Sequence, residues 1–228
     1  MQRTGLAAGV VYLLIGFAWL LLGAPDNPWI VGAWLVLVAV VGAFVPGEAN
    51  QVSLARAYLA APAFVYALAG HYGFLAVAVA IAGLTDLVDG TVARRLAPPS
   101  QFGGALDPVV DGLFMGALCV GLALGGAFPL WLALVVIARY LLPAVGGGVL
   151  LALGQRPQLR HTVMGQVSTT LILFLVGGVC LLRGLNQDSS GFVDAAEVVI
   201  PIATAATYAH LAWAITRPAG GVEAVEGG

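Results

Sequence analysis

Acidic residues are scarce in this 228-residue chain, eleven in all, yet four of them fall between positions 86 and 111. Asp86 and Asp89 are three apart, and Asp107 and Asp111 are four apart. Either spacing puts a pair on one face of a helix. A carboxylate within a bilayer costs roughly 2.5–3.5 kcal/mol at the centre of a span and less near the interface, and four close together also repel one another. Arg94 alone is too little to balance them. One or two divalent cations would do so, and oxygen ligands point to Mg²⁺ or Mn²⁺. Two such ions held between carboxylates can clamp a phosphoryl group during in-line displacement. The competing reading is a set of solvated carboxylates at helix ends. A helix N-terminus favours an aspartate, which would account for Asp107. It does not account for Asp86 and Asp89 at the C-terminal end of their segment, where the dipole opposes them.

The elements that position these residues must be membrane helices. Hydrophobic residues make up 61% of the chain and charged residues 9%, against roughly 25% charged in soluble domains. Runs of about 18 or more uncharged residues are long enough to cross a bilayer. Eight apolar segments can be drawn, at about 6–23, 29–46, 52–70, 72–96, 104–125, 129–152, 162–182 and 193–215. The expected fold class is all-α, a polytopic integral membrane helix bundle. Pro25-Asp26-Asn27-Pro28 separates the first pair, Pro46-Gly47 closes the second segment, and Pro98-Pro99-Ser100 breaks the chain between the fourth and fifth. That short break makes the fourth and fifth helices antiparallel neighbours, so that two carboxylates from each can converge near one interface. Arg3 and the run from Leu6 to Gly23 could be a signal peptide, but the run is long for one and Gly23-Ala24-Pro25 is a poor cleavage site. A retained helix is expected.

All nine basic residues other than histidine are arginine. With the N-terminus inside, Arg3, Arg56, Arg94, Arg95, Arg156, Arg160 and Arg217 fall on the cytoplasmic side and Arg183 on the outer side, in keeping with the positive-inside rule. Both termini and the carboxylates are then cytoplasmic, and the expected location is a bacterial inner membrane with the active site facing the cytoplasm. A net charge of −2 points away from nucleic acid, and the immediate surroundings are membrane lipids. Cys119 and Cys180 lie in apolar segments, away from metal-ligand spacing, and are read as packing residues. Gly112/Gly116 and Gly121/Gly125 have the small-xxx-small spacing that suits close helix packing, although glycine is also simply common in membrane helices.

The stretch Asp86-Leu87-Val88-Asp89-Gly90-Thr91-Val92-Ala93-Arg94, then eight residues, then Gly103-Gly104-Ala105-Leu106-Asp107-Pro108-Val109-Val110-Asp111 fits the pattern D-x-x-D-G-x-x-A-R-x8-G-x-x-x-D-x-x-x-D at every fixed position. It resembles the CDP-alcohol phosphotransferase (CDP-alcohol phosphatidyltransferase) family. The resemblance implies that Asp86, Asp89, Asp107 and Asp111 bind two divalent cations and that Asp111 is also the general base. It implies donor-binding roles for Gly90, Arg94, Ser100 and Gly103. An arginine fork suits pyrophosphate oxygens, and a glycine lets a nucleotide approach the backbone. Upstream, Asn50-Gln51-Val52-Ser53-Leu54-Ala55-Arg56 resembles the family's N-x-x-T-L-x-R helix entry with serine for threonine. Asn50 and Ser53 would help hold the nucleotide, or would simply cap a helix. The resemblance divides the chain into two additional N-terminal helices over 1–48, a six-helix core over 49–217 and a disordered tail over 218–228.

The implied reaction moves a phosphatidyl group from a CDP-linked lipid, CDP-diacylglycerol, to the hydroxyl of a small polar alcohol, and CMP is released. Glycerol 3-phosphate and an inositol phosphate are the favoured acceptors. The Leu106-Asp107-Pro108 context resembles members that use glycerol 3-phosphate, whereas Gly112 and Gln166 stand where those members often have lysine. Arg139 lies in the middle of a helix, where arginine is rare. It could bind an anionic acceptor, or it could partner a helix carbonyl or carboxylate. Arg156, Arg160 and His161 form a basic loop that could hold an acceptor phosphate, anchor topology or meet lipid headgroups. A homodimer is compatible with the resemblance. The alternative from another class is a cation transporter with the four aspartates as its ion site. Such a site would sit near the midplane with access from both sides, rather than at one interface beside Gly90 and Arg94.

Overall fold

The computed structural model describes residues 3–96, 101–152 and 163–216, with side chains described outside 86–96, 101–105, 147–152, 163–164, 213–216 and a few isolated positions. Eight helices make up the described chain: α1 (Arg3–Gly23), α2 (Pro28–Gly42), α3 (Glu48–Ala69), α4 (Tyr72–Leu96), α5 (Gln101–Leu124), α6 (Leu130–Ala152), α7 (Val163–Gly184) and α8 (Ser190–Thr216). The all-helical expectation holds. Among the described residues five helices are long and apolar enough to cross a membrane, with shorter apolar stretches in α2, α4 and α6.

Local chemistry sets most of the boundaries. Pro28 opens α2, where its missing N–H costs nothing. Gly47, at φ +91°, precedes α3, and Gly70, at φ +73°, ends it in the left-handed region that glycine adopts without strain. Asp188 prepares the start of α8. Its carboxylate accepts from the Ser190 backbone N–H at 2.9 Å and from the Ser190 hydroxyl at 2.7 Å, and these bonds, the hydroxyl's first, hold its carboxyl below the usual carboxylate range. α3 begins at Glu48 rather than near residue 52, so Asn50 and Ser53 lie inside its first turns and Gly47 takes the capping position. α5 begins at Gln101 rather than near residue 104, which places Asp107 in its second turn.

Burial identifies the central helix. The apolar stretch of α3 is 67% buried, whereas that of α1 is only 11% buried, so α1 faces lipid and α3 is the pillar of the bundle. α3 packs on α5, α4, α2 and α1. One side carries Leu59, Ala63, Tyr66 and Ala67 into the main core with α4 to α8, and another carries Leu54, Ala57, Tyr58 and Val65 against α2. Packing with α5 is close. A Cβ on Gly121 would stand 2.6 Å from the Phe64 carbonyl oxygen, and one on Gly125 would stand 2.5 Å from that of Ala67. Those two positions therefore need glycine for contact, not merely tolerate it. Cys119 and Cys180 are free, fully buried packing residues.

Candidate active site

Asp107 and Asp111 are one turn apart on α5, and the face they share looks onto α3. Arg56 meets them there. Its Nε lies 3.1 Å from Asp111 Oδ1, and its NH2 lies 4.0 Å from Asp107 Oδ1. The Arg56 side chain is only 5% exposed, against 22% for Asp111 and 37% for Asp107. A buried guanidinium therefore neutralises part of the acidic charge from α3, the helix that also carries Asn50 and Ser53. Asp107 Oδ1 is itself buried and has no hydrogen bond among the described residues. Such an oxygen is left with lone pairs that a hard cation can take up, so Asp107 and Asp111 fit as part of a divalent-metal site, although among the described residues they do not make a group of three ligands.

The corner between α2 and α3 fixes where Arg56 starts from. Gln51 donates from Nε2 to the carbonyl oxygens of Gly42 at 2.9 Å and Val45 at 2.8 Å, which satisfies the end of α2. Tyr12 of α1 donates to the Gln51 carbonyl at 3.0 Å. Asn50 donates to the Pro46 carbonyl, and both Asn50 and Ser53 are buried. Asn50 thus ties the α3 entry to the preceding loop, two turns before Arg56. Sequence analysis used Arg56 for orientation and did not place it in the site. The available signal was the Asn50–Arg56 segment itself, whose last fixed residue is this arginine.

Asp86, Asp89, Gly90 and Arg94 lie in the C-terminal half of α4, and Gly103 lies in the first turn of α5; their side chains are outside the described set. Ser100, Arg156, Arg160 and His161 lie outside the described residues. Among the described residues α3 packs on both α4 and α5. The aspartate-bearing helices thus meet a common partner, and that partner carries the arginine.

Arg139 sits in α6 and is buried, 6% exposed. NH1 donates to Thr207 Oγ1 at 2.9 Å and to the Ala203 carbonyl at 3.5 Å, both on α8. NH2 donates to the Gly165 carbonyl and to Thr169 Oγ1 on α7, each at 3.3 Å. Thr169 and Thr207 in turn donate to the carbonyls of Gly165 and Ala203, at 3.0 and 2.8 Å. The guanidinium fork thereby links three helices through neutral acceptors, while its Nε, also buried, has no hydrogen bond among the described residues. Tyr140, the next residue, packs on α5 beside Asp111: a Cβ on Gly112 would lie 2.8 Å from that of Tyr140.

Comparison with known proteins gives the same picture of the core. The family model described as CDP-alcohol phosphatidyltransferase matches residues 48–216. The chain is 30% identical over 141 residues to the cardiolipin synthase (CMP-forming) of Streptomyces coelicolor, covering 62% of this chain and 63% of that protein. It is 36% identical over 139 residues to a putative cardiolipin synthase of Mycobacterium tuberculosis, covering 59% of this chain and 64% of that one. A probable phosphatidylglycerophosphate synthase of the same organism is 29% identical over 169 residues, covering 70% of this chain and 78% of that protein. The matched region is less than two thirds of the length of these cardiolipin synthases. No solved structure matches the chain.

Proposed function

The chain belongs to the CDP-alcohol phosphatidyltransferase family, and on that premise we propose that it is a membrane transferase that moves a phosphatidyl group from CDP-diacylglycerol to an acceptor hydroxyl and releases CMP. The carrying observation is the ion-paired set of Arg56, Asp107 and Asp111, in which Asp107 Oδ1 is buried without a hydrogen bond among the described residues, inside a chain that has every fixed position of the aspartate pattern. The family is metal-dependent, and Asp86, Asp89, Asp107 and Asp111 would hold two Mg²⁺ or Mn²⁺ ions. When bound, the ions would offset the negative charge of the donor pyrophosphate.

The chain's own residues then have separate tasks. Arg94, with Gly90, Gly103, Ser100, Asn50 and Ser53, receives the nucleotide end of the donor. Arg56 compensates the charge that Asp111 must carry to act as a base. Asp111 takes the proton from the acceptor hydroxyl. The acceptor oxygen bonds to the lipid-side phosphorus, the bond from that phosphorus to the bridging oxygen breaks, and CMP leaves with that oxygen. The product is a phosphodiester, so the phosphatidyl group is kept whole.

For the acceptor, glycerol 3-phosphate comes first and an inositol phosphate second, with Arg156, Arg160 and Arg139 as its phosphate partners. The hydrogen bonds of Arg139 bear on this choice. Its NH1 and NH2 are engaged by α7 and α8, so the loop arginines carry most of the task. A second reading is favoured by the relatives named as CMP-forming cardiolipin synthases. Cardiolipin is two phosphatidyl groups joined through glycerol, so CMP-forming synthesis by phosphatidyl transfer requires a phosphatidylglycerol hydroxyl as acceptor. The test is a panel with purified protein, CDP-diacylglycerol and Mg²⁺ or Mn²⁺, offering glycerol 3-phosphate, inositol phosphate, free inositol, serine or phosphatidylglycerol. CMP release and the mass of the lipid product are read together. Absence of CMP release with every acceptor would remove the transferase reading and leave the aspartate cluster to ion transport.

A further inference from the structure

The transfer reaction leaves α1 and α2 without a task, and they lie outside the residues matched by the family model. They nevertheless wall a cavity of ≈ 250 Å³ against α3 and α4. Its shape is informative. On α3 the lining runs over Ala55, Leu59, Pro62 and Tyr66, one face of the helix, and at 1.5 Å rise per residue this spans about 16 Å. The cavity is thus a slot, longer than a compact headgroup needs. The facing wall comes from α1 and α2, including Ile15, Leu20 and Leu35. A slot lined this way offers water few partners, and apolar cavities stay dry or take apolar ligands. Ile15 lines it and is 56% exposed, so the slot opens sideways on a surface that faces lipid.

At one end the slot's lining is adjacent in sequence to candidate active-site residues on two separate helices. Ala55 lines the slot, and the next residue is Arg56, the partner of Asp111. Thr85 lines it, and the next residue is Asp86, the first aspartate of the pattern. The other end reaches Trp19 and Tyr66, whose rings lie 6.5 Å apart. An elongated apolar space that starts where a lipid's phosphates would be held and is open to the bilayer has the chemistry of an acyl-chain site.

We propose that this slot takes one acyl chain of the CDP-linked lipid donor, and that α1 and α2 are the wall that makes the donor's lipid end a recognised part of the substrate. The inference rests on the donor reading given above and adds a role for the accessory helices.

The test uses the full-length protein in nanodiscs with two photoreactive lipids that carry the same diazirine-bearing chain, one a CDP-diacylglycerol and one a phosphatidylcholine. After irradiation, labelled residues are mapped by mass spectrometry. The expected result is labelling of slot residues on α1 and α3 by the CDP lipid, roughly tenfold above the phosphatidylcholine, because the chains are identical and only the CDP headgroup, held at the adjoining site by about 1.4 kcal/mol more, anchors its chain there. Leu20→Trp, which fills the slot from α1, should remove that labelling. In turnover it should raise the KM for a long-chain donor by roughly tenfold and leave a dihexanoyl donor unchanged, because the short chain does not reach the filled region. Equal labelling by both lipids, labels confined to residues outside the slot, or a Leu20→Trp effect equal for both chain lengths would each overturn the proposal. CMP release from the dihexanoyl donor by the unaltered protein reports the transferase reading on its own, so failure of the slot and failure of the donor assignment are told apart. If Leu20→Trp does not fold, the labelling ratio in the unaltered protein decides.

Discussion

Two buried arginines in this bundle meet the same physical problem in opposite ways. A guanidinium taken from water into a low-dielectric interior carries a penalty of several kcal/mol unless its charge and its donors are matched. Arg56 on α3 is matched by charge: among the described residues its acidic partners include Asp111 at 3.1 Å and Asp107 at 4.0 Å. Arg139 on α6 is matched by dipoles, through two threonine hydroxyls and two backbone carbonyls. Among the described residues the first cluster, one cation with two carboxylates, is net negative and favours further positive charge. The second, one cation with neutral acceptors, keeps its positive charge and spends its geometry on holding α6, α7 and α8 together. The difference separates a site that can change its ions during a reaction from one whose partners are fixed parts of neighbouring helices.

The strongest way to break this comparison is to remove the acids. Replacing Asp86, Asp89, Asp107 or Asp111 by asparagine should lower CMP release by at least about 10³-fold, the scale expected when a base or a charge-stabilising group is lost. The protein should still reach the membrane, and chelation should have the same effect on the unaltered protein. Full activity in chelator without added metal would show that Arg56 alone balances the cluster. Arg56→Gln comes next. It should reduce kcat by roughly 10²-fold and destabilise the protein by about 1–3 kcal/mol. That is below the usual cost of breaking a buried pair, because the carboxylate partners are partly exposed. Added Mg²⁺ should restore much of the lost Tm in this variant and change the Tm of the unaltered protein less. Equal shifts in both would mean that Arg56 and metal do not share the same carboxylates.

These two arginines also show what the sequence could and could not reveal. Long apolar runs separated by proline and glycine made eight helices legible, and scarce aspartates at helical spacing singled out Asp107 and Asp111, which meet at Arg56. The packing of α3 on both α4 and α5 was not legible. The short break between them makes α4 and α5 neighbours in sequence terms, and packing at Gly121 and Gly125 also seats α5 on α3. Arg56 gives the same one-letter signal whether it anchors topology or pairs with a distant carboxylate, because its partners lie more than 50 positions away and are set only by tertiary packing. Arg139 drew attention as a mid-helix charge, but nothing local marked Thr169 and Thr207 as its acceptors. Threonines in membrane helices usually bond their own backbone, and these two do both.

A smaller effect is expected at Arg139. Arg139→Gln should lower stability by about 2–4 kcal/mol, since it removes several hydrogen bonds to a charged donor and leaves buried acceptors short of partners. If Arg139 also meets the acceptor phosphate, the KM for a phosphorylated acceptor should rise at a temperature where the variant is fully folded. If it serves only the helices, Tm falls and KM stays, and the acceptor phosphate must be held by groups such as Arg156 and Arg160.

Thr207→Val gives the smallest change and the sharpest separation. Valine keeps the shape of threonine but loses the hydroxyl that accepts from Arg139 NH1 at 2.9 Å and donates to the Ala203 carbonyl at 2.8 Å. NH1 then retains only the longer contact to Ala203 at 3.5 Å, while NH2 keeps Gly165 and Thr169. One hydrogen bond to a charged group is lost, so stability should fall by about 1–2 kcal/mol. The freed NH1 is the informative part. A structural Arg139 would leave acceptor KM unchanged, whereas an Arg139 that also meets the acceptor would gain a free donor and the KM for a phosphorylated acceptor would fall. Combining Thr207→Val with Arg139→Gln isolates the pair: the two stability losses should add to more than the double variant shows, by about 0.5–3 kcal/mol, because the same bond is counted in both. Strict additivity would mean that the contact contributes nothing to holding α6 against α8, and the contrast between the two arginines would then rest on Arg56 alone.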